Sequence, residues 1–264
     1  MDIDLLESRF ASITARVKVS EFIPTRWSGG FSINIRKDAR GEFFEIRVPQ
    51  GESLQVDAID IRPPLRHLLL MVRQNQRKDK FLCGHDERHW FVAAVPGSSA
   101  STVGTAMEAL KPEEVRQAQS ENRVTGSKGL RRKNAAFTRQ GEWFFVPAPG
   151  LTVDESLILR NEPISRGRGK SHICQYVYRR GGATVYVCRQ YPTGLEAAQY
   201  KALLGRDPAA AKFDWRVMKR DAEVYARGQI RHPDHKTVYL NGWHRVYMNT
   251  EFQAASMSHV AFLD

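Results

Sequence analysis

The sequence predicts an α+β fold, mainly antiparallel sheet with about four helices, arranged in two lobes. Three observations carry this expectation. Short alternating or β-branched and aromatic segments recur along the chain, separated by Gly, Pro, Asn and Asp turn signals. Helical spacing is confined to a few stretches. A polar, basic stretch at 121–134 reads as a linker or mobile loop, dividing an N-terminal α+β lobe (1–120) from a C-terminal one (135–264).

Each element follows from its local pattern. Leu6, Phe10 and Ile13 form one stripe, so a short amphipathic helix opens the chain. Alternation at 32–36 and 42–48 gives two strands around a Lys-Asp-Ala-Arg-Gly turn, and 55–63 gives another, stopped by Pro63-Pro64. The apolar run at 67–73 suits a buried strand and forms a three-stranded meander with 81–83 and 90–95. Val103, Ala106, Met107 and Leu110 fall at helical spacing, and Pro112-Glu113-Glu114 opens a second short helix. A hairpin turns at Gln140-Gly141. The segments 172–180 and 183–190 pair through a Gly181-Gly182 loop, with Tyr176, Tyr178, Arg180 and Arg189 on one face. Residues 194–204 and 208–227 read as helices, the second opened by Asp207-Pro208 and closed by Gly228. Asn241-Gly242 is the strongest hairpin signal, and 251–264 docks as a strand or short helix. Aromatic strands ending in Val-Pro at 48–49, 95–96 and 146–147 read as chance, because such strand ends are common.

Composition bounds function. The 42% hydrophobic content of these 264 residues fills a real core, which excludes global disorder. Forty Lys and Arg against 29 acidic residues give a net charge of +11, which favours a polyanionic partner, most simply nucleic acid. The chain has no apolar run of membrane-spanning length, and its first residues are acidic, so a cytoplasmic protein without a membrane partner is expected. Cys83, Cys174 and Cys188 form no Cys-x-x-Cys and no even disulfide set, and read as buried thiols. Under the Gly-Gly hairpin, Cys174 and Cys188 point to opposite sheet faces and cannot bond. Phosphate-loop, dinucleotide, zinc-finger, nucleophile-elbow and zinc-deaminase patterns are all absent.

Two kinds of site remain. For nucleic-acid contact, the cations are Lys128, Arg131, Arg132 and Lys133 in the basic stretch and Arg166, Arg168 and Lys170 in the Gly-Arg loop. The stacking surface is Tyr176, Tyr178, Arg180 and Arg189. These support a nucleic-acid-binding accessory or regulatory protein that needs no cofactor. For catalysis, His232, Asp234 and His235, or His85, Asp86 and His89, supply His and carboxylate for a divalent metal or acid–base work in a nuclease or phosphoesterase. Both segments are also good polar turns, with no site required. His235 and His244 share a face if the Asn-Gly hairpin forms, but stand roughly 13 Å apart at the strand rise, too far for one metal ion. A protein–protein adaptor presenting aromatic hairpins to a protein partner is the third reading.

Overall fold

The apolar run at 67–73 lacks alternation because both of its faces are covered. In the computed structural model, which describes residues 2–24, 30–51, 53–74, 76–97, 99–165 and 170–251, it lies at the centre of the first half. Helix α1 (Ile3–Ser12), N-capped by the Asp2 carboxylate, precedes β1 (Val17–Phe22), β2 (Ser32–Asp38) and β3 (Gly41–Pro49). These strands form one sheet in the order β1-β3-β2, with β1 parallel to β3. Then β4 (Leu54–Arg62), β5 (His67–Gln74), β6 (Arg77–Asp86) and β7 (His89–Ala94) form an antiparallel sheet in that order, the expected three-stranded meander with β4 added at its edge. Leu68, Leu70 and Val72 of β5 meet α1 and the first sheet, while Leu69 faces α2 (Val103–Ala109). Two covered faces are what a continuous apolar strand requires. Pro112 N-caps α3 (Glu113–Glu121), whose acidic first turn suits the helix dipole.

Gly84 of β6 has a specific reason to be glycine. It lies opposite His67, whose buried ring crosses its bare Cα; an added Cβ would stand 2.7 Å from His67 Cδ2. The ring cannot yield freely, since Nδ1 is hydrogen-bonded to the Leu65 carbonyl. Gly84→Ala should therefore cost about 1–3 kcal/mol, read as a lower urea midpoint at unchanged slope.

The second half contains α4 (Gly126–Gly129), β8 (Thr138–Gln140), β9 (Trp143–Pro147), β10 (Leu159–Ile164), β11 (His172–Arg180), β12 (Ala183–Val187), β13 (Leu195–Glu196), α5 (Ala197–Arg206), β14 (Arg216–Arg220), β15 (Glu223–Arg231) and β16 (Val238–Met248). Six strands build one antiparallel sheet, β10-β11-β15-β16-β9-β8; a small sheet, β13-β12-β14, is inserted between β11 and β15. One face of the large sheet buries Phe145, Cys174, Val177, Ala226, Ile230 and Leu240. At its β8–β9 end the other face packs Phe144 against Val115 and Ala118 of α3. No helix among the described residues is long and apolar enough to cross a membrane.

Three local expectations are corrected. The helix expected over 208–227 is a 3₁₀ turn, Pro208–Lys212, followed by β14 and β15. Asp207 does cap that turn, but pairing with β12 and β11 overrides the helical spacing beyond it, and Asp221 at φ 57° makes the turn between the strands. Gly181-Gly182 is a crossing between sheets, not a hairpin, because β11 already has β10 and β15 as neighbours. Both glycines have positive φ, and a Cβ on Gly182 would lie 2.7 Å from the Arg220 carbonyl oxygen. Cys174 and Arg189 therefore do not oppose each other, and the sheet-face argument about the thiols lapses; all three cysteines are nevertheless free and buried. Asn241-Gly242 lies inside β16. Ala226 pairs with His244 and Gly228 with Leu240, so 241–243 bulge opposite Arg227, and the bulge uses the positive φ of Gly242 that a hairpin would have used. The hairpin between β15 and β16 turns instead through 232–237. Residues 252–264, where a docked tail was expected, lie outside the described residues.

Candidate metal centre

The loop 232–237 begins where β15 ends, and β15 pairs with β11, with Arg231 opposite Ile173. That register sets His172, the first residue of β11, beside the His232-Pro233-Asp234-His235 turn. The His172 ring centroid lies 4.1 Å from that of His232 and 5.5 Å from that of His235, and the latter two are 4.6 Å apart. One ligand nitrogen from each of the three falls within 4.8 Å of the others. His172 is 1% exposed, and neither of its ring nitrogens has a hydrogen-bond partner; nor does Nδ1 of His235. His232 is held in place: its Nδ1 accepts from the Asp234 amide at 3.2 Å, and its Nε2 faces the Lys170 carbonyl at 3.3 Å. Gly141 makes room for His235, since a Cβ there would stand 2.7 Å from Nε2.

Burial pushes the His172 imidazole down to about 3, and the neighbouring imidazoles push the same way. Burial likewise takes His235 down to about 4, reinforced by His232. Both rings are therefore neutral at pH 7, the form that binds a metal ion.

The second histidine turn arrives at the same place. A two-residue turn at Glu87-Arg88 pairs Asp86 with His89 and His85 with Trp90. Asp86 and His89 thus share one face, and His85 goes to the other, with its ring edge-on to Trp90 at 4.9 Å. His89 Nδ1 is 2.5 Å from Glu42 Oε1, while Oε2 of the same carboxylate accepts from the Trp90 amide. His89 Nε2 lies 3.9 Å from Asp234 Oδ1. Lys170 Nζ donates to both Asp234 oxygens, at 2.9 and 2.7 Å. Burial raises the Asp234 carboxyl, but Lys170, His232 and His89 outweigh it and leave it below the usual carboxylate range. Arg88 donates to the Pro233 carbonyl, and the Lys236 amide to Glu87, so the two turns are joined directly.

The chain matches no protein-family model, no curated protein and no solved structure. Chemistry must therefore be read from the residues. Between the two halves lies a cavity of about 390 Å³, whose polar lining includes Glu42, His89, Lys170, Asp234 and His235. Leu82, Phe91, Met107, Leu110 and Phe144 supply apolar lining. Such a mixed wall holds a substrate while a few polar groups orient it.

The other expected site residues are distributed as follows. Lys128, Arg131 and Lys133 are exposed, whereas Arg132 is ion-paired with Asp86 and Glu87. Arg166 and Arg168 lie outside the described residues. Tyr176 and Tyr178 are half-buried on β11, and Arg180 is paired with Glu223 at 2.5 Å. Arg189 lies beyond β12, off the face that carries the tyrosines. His244 is buried within β16, its Nδ1 3.1 Å from the Gly242 carbonyl oxygen, and is not part of the three-histidine cluster. Sequence reasoning missed His172 and Glu42. The only local sign of His172 was its place at the head of a strongly β segment, next to Lys170.

Proposed function

We propose that this protein is a divalent-metal-dependent phosphoesterase with its centre at His172, His232 and His235. The observation that carries this reading is the buried, neutral His172 ring with both nitrogens unpartnered, stacked against His232 and against His235, which lines the cavity. Buried polar groups ordinarily find partners, and a metal ion would satisfy these. All-imidazole ligation suits zinc, whose bonds of about 2.0–2.1 Å set ligand nitrogens roughly 3.3 Å apart in a tetrahedron. The ligand nitrogens, within 4.8 Å of one another, would have to draw closer, and His232 would exchange one of its backbone hydrogen bonds, to the Asp234 amide or the Lys170 carbonyl, for the metal. His235, which lines the cavity, is the residue through which the centre would meet water and substrate. Bound there, the metal would supply a Lewis acid and a hydroxide near neutral pH.

The chain's own groups would do the rest. Glu42 would hold the direction of His89, whose other nitrogen faces Asp234, and this pair would accept a proton from an attacking water. Lys170 holds Asp234 and offers positive charge to an anionic substrate. The +11 net charge favours phosphate esters, nucleic acid included, over neutral substrates. A cytoplasmic setting suits three unpaired cysteines.

Chelator-treated protein should take up one equivalent of zinc, measured by elemental analysis after dialysis. It should then hydrolyse an activated phosphodiester or a labelled oligonucleotide. His235→Ala should lower kcat by about a hundredfold or more. Equal metal retention and equal rates in wild type and variant would reject the reading.

A further inference from the structure

The strands that bring His172 and His232 together carry a different surface on their other side. Cross-strand pairing lines up Arg160, Tyr176 and Arg227 across β10, β11 and β15, and the bulged Trp243 of β16 continues the row. The Arg160 and Arg227 guanidinium groups stand 5.3 and 5.1 Å from the Tyr176 ring centroid, and Arg227 is also 4.9 Å from that of Trp243. A second row, Tyr178, Tyr225 and Arg245, runs beside it. The rows differ in charge. Glu223 pairs with Arg180 at 2.5 Å and with Arg245 at 2.6 Å, next to the second row. Among the described residues, Arg160 and Arg227 have no carboxylate partner, so the first row keeps its positive charge.

We infer that the Arg160–Tyr176–Arg227 row, backed by the buried Trp243, is a docking track for single-stranded nucleic acid. Unpaired bases stack on aromatic rings and on guanidinium planes alike, and the same guanidinium edges donate to phosphate. Charge complementarity selects a polyanion, and flat stacking groups select one whose bases are free of pairing. A duplex, with its bases already stacked, can use only the charge. The track lies on the sheet face opposite the three histidines, so it operates without any metal.

The test is fluorescence anisotropy of the full chain in EDTA. The probes are labelled oligo-dT and oligo-U of roughly 20 nucleotides, longer than one such site occupies, and a duplex of equal length. Single strands should bind at least about tenfold tighter than the duplex, with affinity falling as salt rises. Arg160→Ala, on the exposed edge strand, should weaken single-strand binding about tenfold. Arg227→Lys, which keeps the charge and loses the plane, should also weaken it. Absence of binding at low salt, equal affinity for the duplex, or wild-type affinity in both variants overturns the assignment. Should Arg227→Lys fold poorly, Arg160→Ala decides alone.

Discussion

Replacing His172 by Phe should stabilise the metal-free protein and abolish its response to zinc. Both imidazole nitrogens of His172 are buried without partners. A buried unsatisfied polar group costs about 1–3 kcal/mol, and an apolar ring of similar shape escapes that cost. Phe keeps the stack on His232 and the edge contact with Trp143, whose centroid lies 6.3 Å from that of His172. A gain of about 1–2 kcal/mol in EDTA is therefore expected, read as a higher urea midpoint. Wild type at a hundredfold excess of zinc over its Kd should gain about 2.7 kcal/mol, and the variant nothing. The two proteins should thus change rank when zinc is added. A histidine serving only as core packing predicts no crossing: the substitution would shift both curves alike, with or without metal.

Elements whose partners are local were legible in the sequence. The β5–β6–β7 meander, the Pro112 helix start and the Gln140-Gly141 hairpin each follow from turn chemistry and short-range periodicity. The errors share a physical cause. Gly181-Gly182 and Asn241-Gly242 both need positive φ, and the residues state that need correctly. A sheet crossing and a bulge need it as much as a hairpin does, and strand order decides among them. The 213–227 stretch has enough helical spacing to suggest a helix, yet two strand partners capture it. The candidate site divides in the same way. His232 and His235 are fixed by a Pro-Asp turn and stand out locally. His172 joins them only through the pairing of Ile173 with Arg231, and Glu42 reaches His89 only because the first two sheets pack together. No local signal encodes either contact.

Asp86→Ala should cost about 2–3 kcal/mol, because Asp86, itself buried, holds a partly buried charge cluster together. Its side chain is 9% exposed and ion-paired with Arg132, with Arg139 Nη2 at 3.5 Å. Burial lowers the Arg132 guanidinium to about 10, and nearby Arg139 pushes it the same way; burial lowers Arg139 as well. Two partly dehydrated cations therefore lean on one carboxylate, which joins the β6–β7 turn to the C-terminal half. Removing it leaves like charges facing each other in a poorly solvated space, and Glu87 can answer only Arg132. Breaking a buried ion pair from one side is far more damaging than replacing the whole pair with apolar groups. Asp86→Ala combined with Arg132→Met should accordingly be more stable than the sum of the single losses, with a coupling of about 1–3 kcal/mol in a double-mutant cycle. A purely catalytic Asp86 would behave differently: turnover would collapse while the unfolding midpoint stayed at the wild-type value, and the second substitution would restore nothing. Asp86 and Asp234 stand beside the same cavity, yet burial and partners separate their roles. Asp86 is locked between arginines, while Asp234, half-buried and held by the exposed Lys170, keeps a face toward His89 and the open space.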